Sequence, residues 1–170
     1  MSGKAIGKTM LFGFPGTYAR SGDCIIAQKP VRDNSSDLPF GHAAQIHTDG
    51  SIQKADSNFT AAIFAGVAVR EVKQSVDYYN SNGAYKKNEP ADIIQRGSVS
   101  VLCNVGTPAP AGKVYIRVLE NAAIPAGLVG GFEAEADGDN TVELTNCRWN
   151  SVGKDANGVA ELVILTRVNP

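Results

Sequence analysis

Short stretches in which apolar and polar residues alternate recur from Ile63 to Leu165, each followed by a glycine-bearing break. Successive side chains of a strand point to opposite faces, so a period of two is typical of a sheet with one covered face. Several such strands at near-regular spacing, with no helical pattern between them, predict an all-β domain. We expect a single jelly-roll-like sandwich or barrel of short antiparallel strands. The clearest copies are Ile63–Val72, Ser98–Val105, Lys113–Glu120, Thr141–Asn146 and Val159–Thr166.

Composition narrows the classes of function. A chain of 170 residues fits one domain that can bury a core without disulfides. The formal net charge of −1 argues against nucleic-acid binding through phosphate neutralisation. No apolar run approaches the roughly 20 residues of a membrane span, so we expect no membrane partner. The three widely spaced cysteines form no CxxC pair and predict free thiols, as in a protein made in a reducing cytoplasm.

The first 38 residues differ from the rest of the chain. They are rich in Gly, Pro, Ser and Asp, show little alternation, and contain one candidate strand at Cys24–Lys29. We therefore expect residues 1–38 to form an extended N-terminal arm and residues 39–170 to form the β domain. Apolar side chains on an extended segment are a common way to grip a neighbouring surface. The predicted partner-contact residues are Phe12, Phe14, Tyr18 and Arg20 of the arm and Tyr78 and Tyr79 of a polar loop.

Residues that could carry chemistry are few, and we predict no catalytic, cofactor or metal site. Gly7-Lys8-Thr9 lacks the first glycine and the preceding strand of a phosphate-binding loop. His42 and His47 are the only histidines, whereas a zinc site needs three or four ligands. Cys103 and Cys147 lie in strand-like contexts, and no Gly-x-Ser-x-Gly elbow accompanies them.

Acidic residues near the end of the chain have ordinary explanations. Asp137, Asp139 and Glu143 surround Gly138 at a spacing that does not match an EF-hand, so they favour a hairpin turn over a calcium site. Glu133 and Glu135 alternate on one strand face and are expected to be solvated, although carboxylates at such positions could also serve glycoside hydrolysis.

Aromatic residues that could lie on the surface leave another class of function open. Trp149 together with the Tyr78–Tyr85 loop could form a carbohydrate- or ligand-binding platform on a sandwich, although an aromatic in a sandwich is more often core. A small β-barrel enzyme that depends on His42 is a further alternative.

A shared order of segments gives the chain a family likeness. These segments are, in order, Phe12-Gly13-Phe14-Pro15 with Tyr18 and Ala19, Leu38–Gly41, Phe64–Arg70, Tyr85, Gly97–Leu102, Lys113–Val118, Asn146–Trp149 and Gly158–Leu162. In them, and over nearly its whole length, the chain resembles the structural cement, or head decoration, proteins of tailed bacteriophages. The loop Ser75–Gly83 and the stretch before Leu38 depart from the family's pattern.

The resemblance implies a non-enzymatic virion protein. Such a protein would be a mostly β, jelly-roll-like molecule on the outside of a phage head. It would bridge neighbouring copies of the major capsid protein and stabilise the DNA-filled head, as a homo-oligomer, either a dimer or a trimer. The resemblance implies no catalytic residues and no cofactor.

Overall fold

The computed structural model describes residues 11–20, 22–70 and 83–167, and these are nearly all strand and loop. The all-β prediction is confirmed, whereas the jelly-roll connectivity stays a prediction. Two short 3-10 helices, Ala61–Ile63 and Gly138–Asn140, occur among the described residues. The strands are β1 (Ile25–Pro30), β2 (Leu38–Pro39), β3 (Ala43–Ile46), β4 (Ile52–Lys54), β5 (Phe64–Ala68), β6 (Ala84–Tyr85), β7 (Pro90–Val105), β8 (Val114–Arg117), β9 (Phe132–Glu133), β10 (Thr141–Leu144), β11 (Cys147–Trp149) and β12 (Val159–Ile164).

The 16-residue strand β7 organises the fold. It extends the predicted strand Ser98–Val105 backwards through Gly97 to Pro90. Gly97 continues the strand with a φ of +119°. A Cβ atom there would lie 2.6 Å from the carbonyl oxygen of Asp23. Only glycine therefore allows both this backbone conformation and the close approach of the chain at Asp23.

Both halves of β7 have neighbours on two sides. In the first half, Ile94 pairs with Ile26 of β1 and with Val67 of β5, both antiparallel. In the second half, Val99 pairs with Leu162 of β12, and the end of the strand runs parallel to β9. The sheet then extends through β3 and β4 beyond β5, and through β8 and β10 beyond β9. The short strands β2 and β6 form a separate antiparallel pair.

Two apolar clusters hold these strands together. The larger cluster takes residues from β3, β5 and all of the strands β7 to β12. Trp149 could have been a core residue or an exposed binding residue, and the structure places it in this core, where it is buried. Cys103 packs there as a small apolar residue. The smaller cluster lies under β2 and β6, where Tyr85 meets Phe40 edge to face.

One expectation about charge is wrong. Glu133 is fully buried rather than solvated, because β9 lies between β7 and β8. Its carboxylate is paired with the equally buried guanidinium of Arg117, whose Nη2 lies 2.9 Å from the Glu133 Oε2 atom. A buried charge survives when a partner of opposite charge and hydrogen bonds compensate its lost hydration.

A search of the described residues for a helix long and apolar enough to cross a bilayer finds none.

Candidate functional site

Residues 11–20, which we call the strap, lie along the second half of β7. The amide of Gly16 donates to the Ser100 carbonyl oxygen at 2.8 Å, and the Ser100 amide donates to the Thr17 carbonyl oxygen at 2.9 Å. A third bond of 3.0 Å joins the Ala19 amide to the Ser98 carbonyl oxygen. Tyr18 therefore sits opposite Val99 in an antiparallel bridge, and this part of the predicted arm has a fixed place on the β domain.

Side chains of the β domain hold both ends of the strap. At one end, the Phe12 amide donates to Asp155 Oδ2 at 2.9 Å, and Ser100 Oγ donates to the Phe12 carbonyl oxygen at 2.6 Å. At the other end, Arg20 donates from Nε and Nη2 to the two carboxylate oxygens of Glu161 at 2.8 and 3.1 Å. Bidentate guanidinium–carboxylate pairs fix orientation as well as distance. The strap is thus clamped at Phe12 and Arg20.

The two carboxylates that hold the strap, those of Asp155 and Glu161, have lowered pKa values. Partial burial raises the pKa of Glu161, but hydrogen bonds from Arg20 and Asn150 outweigh it and bring the pKa below its usual value. At Asp155 the raising effect of burial is likewise outweighed, in this case by bonds from the Phe12 and Val159 amides, so its pKa is also lowered. Both anchors are therefore charged at neutral pH.

A tight turn displays Phe14 on the outside of the strap. The Thr17 amide donates to the Phe14 carbonyl oxygen at 3.1 Å, and the Thr17 hydroxyl donates to the same oxygen at 2.8 Å. Proline at the second position and Gly16 with a φ of +85° at the third are typical of a type II turn. The Phe14 side chain is 64% exposed and Leu11 is 61% exposed. These two apolar side chains face solvent from a backbone that is held in place.

Arg70 packs against this turn from the β domain. Its amide donates to the Gly16 carbonyl oxygen at 2.8 Å. Its guanidinium carbon lies 5.1 Å from the centroid of the Phe14 ring, within the range of a cation–π contact. The exposed aromatic ring and this positive charge therefore form one surface feature.

The structure brings four of the six predicted contact residues together on the strap. Phe12 is half-buried, Phe14 and Tyr18 are exposed, and Arg20 is exposed while paired with Glu161. Tyr78 and Tyr79 lie outside the described residues. The assignment of these residues to partner contact, and of residues 1–38 to an arm, stays a prediction. Within that segment, β1 is a full member of the main sheet.

From the sequence alone we did not identify the residues of the β domain that position the strap, namely Ser100, Asp155, Glu161 and Arg70. The Phe14-Pro15-Gly16 sequence could have indicated the turn. No local signal could have indicated the anchors, because Asp155 lies 143 positions from Phe12 along the chain.

The histidines and cysteines do not form a reactive centre in the described residues. Burial lowers the pKa of His42, while His47 contacts Arg32 at 2.9 Å. Burial raises the pKa of Cys103 to about 11 and that of Cys147 further, which disfavours the reactive thiolate. No group of three His, Cys, Asp or Glu side chains able to hold a metal ion occurs in the described ranges.

The carbohydrate-binding alternative loses two of its aromatic residues. Trp149 is buried in the main core, so its ring has no face to offer a sugar. Tyr85 is buried as well, and its hydroxyl donates to the Val69 carbonyl oxygen at 2.8 Å.

Comparison with known proteins shows a family and a similar fold. The family described as "Structural cement protein (E217 gp24/Pam3 gp6)" matches residues 3–165. No curated protein matches the chain. A solved structure described as "The capsid of Myoviridae Phage XM1" contains a chain with 18% sequence identity and a TM-score of 0.69. That alignment covers 96% of this chain and 98% of the other, so the two share a fold over almost their full lengths.

Proposed function

Because this chain belongs to the structural cement protein family of phages, we propose that it binds the outside of a DNA-filled head and bridges neighbouring major capsid subunits. Its location is the virion, in association with the capsid. The proposed role is mechanical and involves no catalysis.

The observation that carries this proposal is the clamped strap. Phe14 and Leu11 are exposed apolar side chains on a backbone that β7, Asp155 and Glu161 hold in place. Exposed apolar residues that are already ordered lose little conformational entropy when a partner covers them. The strap is therefore suited to act as a pre-organised contact surface.

Bridging requires at least two contact surfaces for each bound unit. A homo-oligomer, either a dimer or a trimer, would supply one strap from each copy and so join adjacent capsid subunits. An interface of standard size buries about 1,600 Å² in total. Many symmetric copies add avidity without stronger single contacts, and each bridge resists the outward pressure of packaged DNA.

The test uses phage heads assembled without this protein. Purified full-length chain is added, bound chain is measured by co-sedimentation, and release of DNA on heating is followed with a dye. We expect saturable binding and release of DNA at a higher temperature. Binding without a change in release temperature would refute stabilisation, and no binding would refute the proposal as a whole.

The role of the strap is tested with Phe14→Ala and a matched control. Leu128→Ala removes an exposed apolar side chain, 53% exposed, that lies outside the strap. We expect Phe14→Ala to weaken head binding and Leu128→Ala to leave it close to wild type. If Leu128→Ala weakens binding and Phe14→Ala does not, the strap is not the contact surface. Deleting residues 1–38 is not a suitable test, because it removes β1 from the sheet.

A further inference from the structure

Arg70 differs from Arg20, Arg96 and Arg117 in what its guanidinium contacts. The guanidinium groups of Arg20, Arg96 and Arg117 each contact a carboxylate. Arg70 is exposed and, among the described residues, has no carboxylate within 4.0 Å. Its guanidinium contacts the Phe14 ring. Among the residues that the structure describes, no carboxylate neutralises this charge.

The Arg70 guanidinium carries five N–H donors in its plane. Among residues 11–20, 22–70 and 83–167, the structure shows no hydrogen bond from these donors, and its contact is with the Phe14 ring. The backbones of both residues are fixed, since the Arg70 amide bonds to Gly16 and the Phe14 carbonyl accepts two bonds from Thr17. Arginine and aromatic side chains held in this way are typical of the residues that dominate binding energy at interfaces.

We infer that Phe14 and Arg70 form one recognition element for a protein surface with an apolar depression bordered by a carboxylate. Phe14 would enter the depression, and the in-plane N–H groups of Arg70 would bind the carboxylate beside it. The Arg70 guanidinium, which has no carboxylate partner within the described ranges, would favour an acidic border by charge complementarity. This inference rests on the proposed function, because it specifies the chemistry of the capsid surface that the strap meets.

The experiment measures binding of full-length variants to heads assembled without this protein, at low and high salt. Arg70→Gln removes the charge, and Arg70→Lys keeps the charge but loses the planar fork. Arg96→Gln is the matched control, because it makes the same change of charge at an exposed pair with Asp23. The fluorescence of buried Trp149 during thermal unfolding checks that each variant folds.

We expect Arg70→Gln to raise the dissociation constant about tenfold and Arg96→Gln to change it less than twofold. Arg70→Lys should fall between wild type and Arg70→Gln. The salt dependence of binding should become weaker in Arg70→Gln, since one interfacial ion pair is lost. Phe14→Ala combined with Arg70→Gln should cost less than the sum of the two single changes, because the residues act as one element.

The outcomes separate this inference from its premise. If wild-type chain binds heads and Arg70→Gln binds equally well with the same salt dependence, the inference is overturned and the proposed function stands. If Arg70→Gln and Arg96→Gln weaken binding alike, a general charge effect replaces the specific pair and the inference again fails. If wild-type chain does not bind heads, the proposed function fails and this inference falls with it.

Discussion

Replacing Arg117 with methionine should destabilise the protein strongly. Arg117 and Glu133 are both 0% exposed and lie on neighbouring strands β8 and β9. The guanidinium also donates to Asp137 Oδ2 at 2.8 Å and to the Leu119 carbonyl oxygen at 3.3 Å. Methionine fills much of the same volume but leaves the Glu133 carboxylate buried without its counter-charge.

The expected loss is about 3–5 kcal/mol, the range for removing one partner of a buried ion pair. With a urea m-value of about 2 kcal/mol per molar, the unfolding midpoint should fall by about 2 M. This is a large share of the roughly 5–15 kcal/mol that keeps a domain folded. The assay is equilibrium unfolding in urea, followed by the fluorescence of Trp149, the single tryptophan of the chain.

A double variant and a control decide whether burial of an unpaired charge is the cause. Arg117→Met with Glu133→Leu removes both charges, and Asp137 keeps its bonds from Asn121 and Asn140. This double variant should regain at least half of the lost stability. Lys113→Gln breaks an exposed pair with Glu143 and should leave the midpoint almost unchanged.

Two results would refute the reasoning about Arg117. The first is a loss below about 1 kcal/mol in Arg117→Met, which is the size expected for an exposed pair. The second is a double variant that is no more stable than the single one. The first result would mean that the buried carboxylate has another source of stabilisation. The second would mean that lost packing or hydrogen bonds of Arg117, rather than an unpaired charge, cause the loss.

Three further predictions concern the backbone, the strap and the thiols. Gly97→Val should lower the melting temperature in calorimetry by several degrees, because it combines about 1–3 kcal/mol of backbone strain with a clash; an unchanged value would contradict the positive φ. Asp155 and Glu161 have lowered pKa values, so their contribution is present at neutral pH and is lost as the pH falls through those values. As the pH is lowered, amide protection from hydrogen exchange should therefore be lost in the strap before it is lost in β7; simultaneous loss of protection would count against this. Folded protein at pH 8 should show iodoacetamide labelling of Cys103 and Cys147 only after denaturant is added, since burial raises both pKa values.

The strands were predictable where alternation runs for several residues. Lys113–Glu120 and Val159–Thr166 contain all of β8 and β12, whereas Ser98–Val105 contains only the second half of β7. The two-residue strand β9 is too short to have a period, so its position between β7 and β8 was not visible in the sequence. Glu133 was misjudged for the same reason, because its burial depends on a strand pairing that the local pattern does not encode.

The candidate site was predictable in its residue types but not in its geometry. Glycine, proline and three aromatic residues marked the N-terminal segment as unusual. The sequence could not indicate that Phe12 would be half-buried and Phe14 exposed, since both alternate with glycine or proline in the same short stretch. That difference arises from Asp155 and Ser100, which fix the direction of the backbone between them.

The position of β7 among its neighbours also affects how fast the chain can fold. Hydrogen bonds of β7 and of the strap join residues far apart in sequence. Ser100 and Phe12 are 88 positions apart, and Arg20 and Glu161 are 141 positions apart. A topology of such high contact order is typical of domains that fold in milliseconds to seconds. Stopped-flow refolding monitored at Trp149 should therefore show a phase on that timescale, and a submillisecond phase alone would contradict it.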